Sequence, residues 1–290
     1  MSKSRLKTAD WLNVKAGKTS TLLLEGGIGG HTYHSVVCQI THEVATVVTA
    51  MSDADMATHI SRIRLQAGKE TLWSLTGDQL LFLNDRYKVP AYVGLLPLMF
   101  AQPHLVSPVE EDHLALGTLD IERPVIEIDW DATVVNPTIE SWALVYDGPN
   151  QPLGRFITYE DTFYQSQAAA GEYHIREGSQ PWVDDGLNLK SLHIDTASIS
   201  KIVYRQDGKN FEETDTDISP FFDDVQAFRT GGRQAVAGWT SLDVAGNRIG
   251  DMRSTSNWIK PLLSLTTTAA TDFSILYEVV INGLPNRQAA

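Results

Sequence analysis

The sequence predicts an all-β protein built from two similar domains in tandem. Three observations point there: short β-rich runs divided by turn residues, scarce helical signals, and an internal repeat about 140 residues apart.

The elements follow in order. Thr19-Ser-Thr-Leu-Leu-Leu24 is β-rich and stops at glycines, and Tyr33 to Ile40 resumes the pattern. Val125-Ile-Glu-Ile-Asp-Trp130 alternates apolar and polar residues, the period of a half-buried strand. Two short helical segments interrupt the strands. One is a single turn over Ser52 to Ala57. The other runs over Thr76 to Asp85, with Thr76 or Asp78 as N-cap.

The repeat pairs Ile60-Ser-Arg-Ile with Ile199-Ser-Lys-Ile. Each is followed by a strand and a Gly-Lys turn, at Gly68-Lys69 and Gly208-Lys209. A short aromatic segment comes next, Leu80-Leu-Phe-Leu in one copy and Phe221-Phe222 in the other. Each copy then has a late proline (Pro124, Pro261). Each closes on a β-rich strand ending in glycine, Trp142 to Gly148 and Ile275 to Gly283. The Pro/Gly/Asn cluster Gly148-Pro-Asn-Gln-Pro152 breaks strands, so the domains are placed at 1–149 and 150–290.

Bulk properties narrow the function. The 290 residues are 42% hydrophobic, enough for a real core, and carry a net charge of −13. That charge argues against nucleic acid as a specific partner, because phosphate binding needs basic surface. The N-terminus is the exception: Lys3, Arg5, Lys7, Lys15 and Lys18 face only Asp10. Such a basic arm suits an anionic surface, or is a solvated, frayed terminus. The single cysteine, Cys38, excludes an intrachain disulfide and follows two valines, as a buried apolar residue does. No apolar run is long enough to span a bilayer and there is no signal-peptide core, so a soluble protein is expected.

Candidate chemistry is thin. Glu25-Gly-Gly-Ile-Gly-Gly-His-Thr-Tyr-His34 imitates a dinucleotide loop, but Thr32 stands where the third glycine belongs and a strand follows. His31 and His34, three apart on a strand, point to opposite faces and chelate poorly. The stretch is read as a glycine-rich turn. Ala16-Gly-Lys-Thr-Ser20 imitates a P-loop tail, but Leu12 replaces its first glycine. Asp129 and Asp131 share a strand face as a carboxylate pair, a spacing found in glycosidases and, far more commonly, on plain polar faces. From Asp184 to Asp224 ten carboxylates meet four basic residues. Within that stretch Asp215, Asp217, Asp223 and Asp224 are candidate ligands for a structural Ca²⁺, or a solvated acidic loop without the pattern of an EF-hand. No catalytic constellation stands out, so no enzyme activity and no required cofactor are expected.

Several segments together resemble one family. They are Asn13-Val-Lys-Ala-Gly-Lys-Thr-Ser-Thr-Leu-Leu-Leu24, Gly30-His-Thr-Tyr33, Ile63-Arg-Leu65 with the Gly68 turn, and Gly94-Leu-Leu-Pro-Leu-Met-Phe-Ala-Gln-Pro103 followed by Leu114-Ala-Leu-Gly-Thr118. Leu189-Lys-Ser-Leu-His-Ile194 and Tyr277-Glu-Val-Val-Ile281 fit the second half. The chain resembles the corticovirus-type double jelly-roll major capsid proteins of icosahedral, membrane-containing bacteriophages. The resemblance implies two eight-stranded jelly rolls with short helices in loops. It implies a homotrimer of pseudo-hexagonal outline that tiles an icosahedral shell over an internal membrane. Neighbouring trimers and minor capsid, penton or membrane proteins would be its partners. Its place would be the virion capsid, assembled in the host cytoplasm. Lys3, Arg5 and Lys7 would lie at the shell base near lipid headgroups. The alternative is a tandem β-sandwich carbohydrate-binding module that stacks sugars on Trp182, Trp239 and Trp258.

Overall fold

The computed structural model describes residues 2–101, 114–164, 170–175, 188–195, 198–206, 209–215, 236–243, 262–269 and 272–283. These residues divide into two compact units. The first takes those up to Ile157, with Asn282 and Gly283 returning to it, and the second takes Thr158–Ile281. The sequence set the boundary at 149/150, whereas the units divide within the strand Arg155–Tyr164.

The first unit holds β1 (Lys3–Lys7), β2 (Thr19–Leu23), β3 (Tyr33–Val44), β4 (Val47–Ala50), β5 (Ile60–Ala67), β6 (Glu70–Leu75), β7 (Leu95–Met99), β8 (Pro124–Trp130) and β9 (Thr138–Tyr146). Helix α1 (Asp53–His59) lies between β4 and β5, and α2 (Gly77–Arg86) follows β6. One sheet runs β1-β9-β3-β4, with β7 also paired to β3, and the other runs β2-β8-β5-β6. β7 pairs with Ser35–Gln39 of β3 and β4 with Thr41–Val44. The two share one edge of β3, so each sheet is four strands wide.

Alternation builds the core. Along β8 the residues Ile126, Ile128 and Trp130 are buried, and Val125, Glu127 and Asp129 between them are partly exposed. Leu22, Val36, Cys38 and Leu96 are fully buried with them, and burial pushes the Cys38 thiol up to about 12.

Both helices begin at reciprocal caps. Thr76 Oγ1 accepts from the Gln79 amide at 3.1 Å, and Gln79 Oε1 accepts from the Thr76 amide at 2.9 Å. Ser52 and Asp55 repeat the arrangement, so the segment expected to make one turn is a seven-residue helix. The strand expected to end at Ile40 continues to Val44, where a two-residue turn at Ala45-Thr46 joins it to β4.

The second unit holds β10 (Arg155–Tyr164), β11 (Gly171–Ile175), β12 (Asn188–Ile194), β13 (Ile199–Gln206), β14 (Lys209–Asp215), β15 (Thr240–Asp243), β16 (Leu262–Thr267) and β17 (Phe273–Asn282). Its sheets run β10-β17-β12-β15 and β11-β16-β13-β14. Leu192, Ile194, Ile202, Leu265, Ile275 and Tyr277 belong to the core between them.

The repeat in the sequence is a repeat in topology. β5 and β13 are each third in their sheet, and β9 and β17 are each second. The irregularities repeat too. The register slips between Ile60 and Arg62 against β8, and between Ile199 and Lys201 against β16. It slips again between Leu65 and Gln66 against β6, and between Tyr204 and Arg205 against β14. Ile-Ser-(Arg/Lys)-Ile therefore marks a β-bulge with the serine as the extra residue, a device that bends the strand the same way in both units. Each unit is an antiparallel two-sheet sandwich, and the two together are the expected double jelly roll.

Candidate functional site

The glycine-rich stretch folds as a 3-10 turn, Gly27–Gly29, packed into a joint with two other segments of the first unit. Asn150 is its centre. Its Nδ2 donates to the Gly27 carbonyl at 2.8 Å and to Thr118 Oγ1 at 3.0 Å, and its Oδ1 accepts from Thr32 Oγ1 at 3.2 Å. Thr118 Oγ1 in turn donates to the His31 carbonyl at 2.8 Å. A Cβ on Gly26 would overlap the Ile121 carbonyl oxygen, and one on Gly117 would overlap the Pro152 carbonyl oxygen. Gly26 and Gly117 serve close backbone-to-backbone contact, whereas a Cβ on Gly27 or Gly29 meets nothing within 4 Å. His31 is partly exposed beside Glu25, with Nε2 to Oε2 at 3.5 Å, and His34 is buried, so the two do not converge. Gly17, at φ +62, closes the lysine turn before β2.

The carboxylate pair is separated by the fold. Asp129 lies on β8, but Asp131 follows the strand end and turns back on Thr133. Thr133 donates to Asp131 from its hydroxyl at 2.5 Å and from its amide at 2.8 Å. These bonds, the hydroxyl's first, hold the Asp131 carboxyl below the usual range. Asp129 is clamped by Arg64, with Nη1 to Oδ2 at 2.7 Å and Nη2 to Oδ1 at 2.9 Å, and Arg64 Nε also donates to Glu127 at 2.8 Å. Partial burial opposes the Arg64 charge, yet these carboxylates hold its pKa above the ordinary value. Asp129 is thus engaged in a bidentate ion pair.

The basic N-terminus is a strand. Lys3 pairs with Tyr146 and Lys7 with Trp142 at the edge of the first sheet, which corrects the expectation of a free or frayed arm. Arg5 and Lys7 are exposed there, and Lys7 Nζ lies 3.5 Å from Glu140 and 6.0 Å from the centre of the Trp142 ring. Of the calcium candidates, Asp215 ends β14 and Asp217, Asp223 and Asp224 lie outside the described residues. Among the described residues no group of three or more His, Cys, Asp or Glu is disposed to hold a metal. Trp239 is half-buried, and Trp182 and Trp258 lie outside the described residues.

One polar cluster escaped the sequence reading. In the second unit Lys190 Nζ lies 2.5 Å from Glu278 Oε2, Glu278 Oε1 lies 2.9 Å from His193 Nε2, and His193 Nδ1 lies 2.8 Å from Ser241 Oγ. All four residues are buried. A register slip between Leu189 and Ser191 makes Lys190 the extra residue of a bulge opposite Glu278. Burial alone would raise the Glu278 carboxyl. The Lys190 ammonium and His193 reverse this and hold it well below the usual carboxylate range. The ionised carboxylate accepts from His193 Nε2, and His193 Nδ1 shares a hydrogen bond with the Ser241 hydroxyl. Serine, histidine and glutamate stand in the order of a hydrolase triad, but the group is sealed and its carboxylate is already neutralised. Its role is to hold β12, β15 and β17 together. A signal did exist, since a lysine and a histidine alternate with Leu189, Leu192 and Ile194 in one short strand.

The viral coat protein P2 N-terminal domain matches residues 5–146, and the viral coat protein P2 C-terminal domain matches residues 157–282. The chain belongs to the viral coat protein P2 family. Among solved structures, the major capsid protein P2 of bacteriophage PM2 is similar at a TM-score of 0.83 and 17% identity, over 98% of this chain and 99% of that one. The STIV major capsid protein is similar at 0.66 and 9% identity, over 100% of both chains. PBCV-1 VP54 is similar at 0.62 and 11% identity, over 96% of this chain and 93% of that one. No curated protein sequence matches. The coat protein is thus structural, not an enzyme, and its working site is surface. This accounts for engaged carboxylates, filled turns and a sealed triad-like cluster, since a shell subunit needs a rigid frame rather than a reactive centre.

Proposed function

We propose that this coat protein is a major capsid protein that forms a homotrimer, and that trimers tile an icosahedral shell over an internal membrane. The observation that carries this reading is the pair of topologically equivalent jelly rolls in one chain. Three such chains supply six similar modules, a pseudo-hexagonal tile. Open sheet edges give such a tile places to meet its neighbours. The exposed Arg5 and Lys7 on β1 suit anionic headgroups at the shell base. Contacts with minor capsid, penton or membrane proteins, and assembly in a host cytoplasm, belong to the same reading. The carboxylates Asp215, Asp217, Asp223 and Asp224 suit a structural Ca²⁺ by chemistry and density, and no other cofactor is invoked.

Brief amine cross-linking of dilute purified protein tests the assembly. The expected result is a ladder that stops at three chains, strengthened by Ca²⁺ if the acidic segment binds it. A ladder confined to one chain favours the carbohydrate-binding sandwich.

A further inference from the structure

The first sheet treats its edges differently. β1 carries Lys3, Arg5 and Lys7, the charged residues that natural edges use against unwanted pairing. The β7 edge is covered: α2 packs on it, Asn84 Nδ2 donates to the Pro97 carbonyl at 3.0 Å, and Pro97 offers no N–H. β4 has neither protection. Among the described residues it pairs only with β3, and Val47 and Val48 are 59% and 68% exposed.

The surroundings of β4 are also apolar. Six of the ten large hydrophobic side chains most exposed among the described residues are Val44, Val47, Val48, Tyr92, Val93 and Val135. The fold gathers them at one end of the first unit. Val135 lies against β3, since the Glu43 amide donates to its carbonyl at 2.9 Å. Tyr92 and Val93 lead into Gly94, whose amide donates to the Met51 carbonyl at 2.9 Å. The segments 44–51, 89–99 and 132–139 contain no charged residue; at their borders stand Glu43, opposite Val48 and accepting from Asn136 Nδ2 at 2.6 Å, and the exposed Lys88. The hairpin turn itself is held at positive φ by Ala45 and Thr46 (+50 and +71), where glycine or asparagine is the usual choice. An exposed, costly, unguarded hairpin is a surface kept for contact.

We propose that the β4 edge and its valines form a contact between copies of this chain. Charge selects the occupant. Each copy carries −13, so two copies repel on approach unless they meet where charge is absent. An apolar edge with one hydrogen-bonded carboxylate, Glu43 opposite Val48, is what like-charged chains bury with little desolvation of ions, and its open backbone groups add strand pairing. An anionic bilayer is the poorer fit, because the three segments carry no lysine or arginine to meet headgroups. The proposal rests on the self-assembly reading above and names a surface for it.

The test uses the full chain with Val48→Cys. The native Cys38 is fully buried and stays silent to a maleimide. Labelling is compared between the associated species and the same protein diluted to monomer. The expected result is labelling at least tenfold slower in the associated species, with Val47→Lys raising the concentration for half-association at least tenfold. Equal labelling in both states, with association intact, overturns the proposal and leaves the assembly reading standing. No associated species at any concentration overturns both. Protection by phosphatidylglycerol vesicles but not by self-association assigns the edge to lipid and also overturns it.

Discussion

Glu278→Leu is expected to destabilise the second unit by about 3–5 kcal/mol, the range for removing one member of a buried ion pair. The lost charge leaves Lys190 buried without its carboxylate, and His193 without its acceptor. The lost Lys190–Glu278 attraction is not the whole cost, since β12, β15 and β17 meet through this cluster. Adding Lys190→Met should recover most of the loss, because the paired removal replaces a buried ion pair by an apolar contact. Urea unfolding of the three variants reads this directly. The pH dependence follows in sign. The folded carboxyl titrates below its unfolded value, so its contribution is present above about pH 4.3 and is lost as pH falls. Between about pH 5 and 3 the wild-type chain should therefore lose more stability than the double variant.

Gly117→Ala is expected to cost about 3 kcal/mol, the upper end for overpacking. The new methyl would overlap the Pro152 carbonyl and lie within 2.6 Å of the Gln151 carbonyl, both backbone atoms that no rotamer change can move. Relief requires the segment at Asn150 to shift, and its bonds to Gly27, Thr32 and Thr118 go with it. Gly29→Ala is the control, because a Cβ there meets nothing within 4 Å. Thermal unfolding should separate the two variants clearly. Similar midpoints would mean that the joint is soft and that the glycines serve the turn alone.

The repeat shows how much of the fold was legible. Ile-Ser-(Arg/Lys)-Ile announced two equivalent strands because a bulge imposes a local demand on sequence, and that demand recurs. Alternation at Ile126, Ile128 and Trp130 was equally plain. The β3–β4 hairpin was not, since Ala45-Thr46 lacks every usual turn residue and Val44, Val47 and Val48 read as one apolar run. The frayed reading of the basic N-terminus failed for a different reason. Charge describes a surface, whereas pairing of Lys3–Lys7 with β9 depends on a strand about 140 residues away. The Lys190 cluster depends on a register slip and on three strands distant in sequence, so only a lysine and a histidine among the leucines of one strand were visible. The glycine-rich stretch was legible as a turn, but its use as a three-segment joint required Asn150 and Thr118, which no spacing connects.

The mass of the purified protein in solution, by light scattering over a range of concentrations, tests the central claim most directly. A self-assembling capsid subunit predicts a stable species at three times the 32.0 kDa chain. A strict 32.0 kDa monomer at every concentration, with and without Ca²⁺, would contradict it.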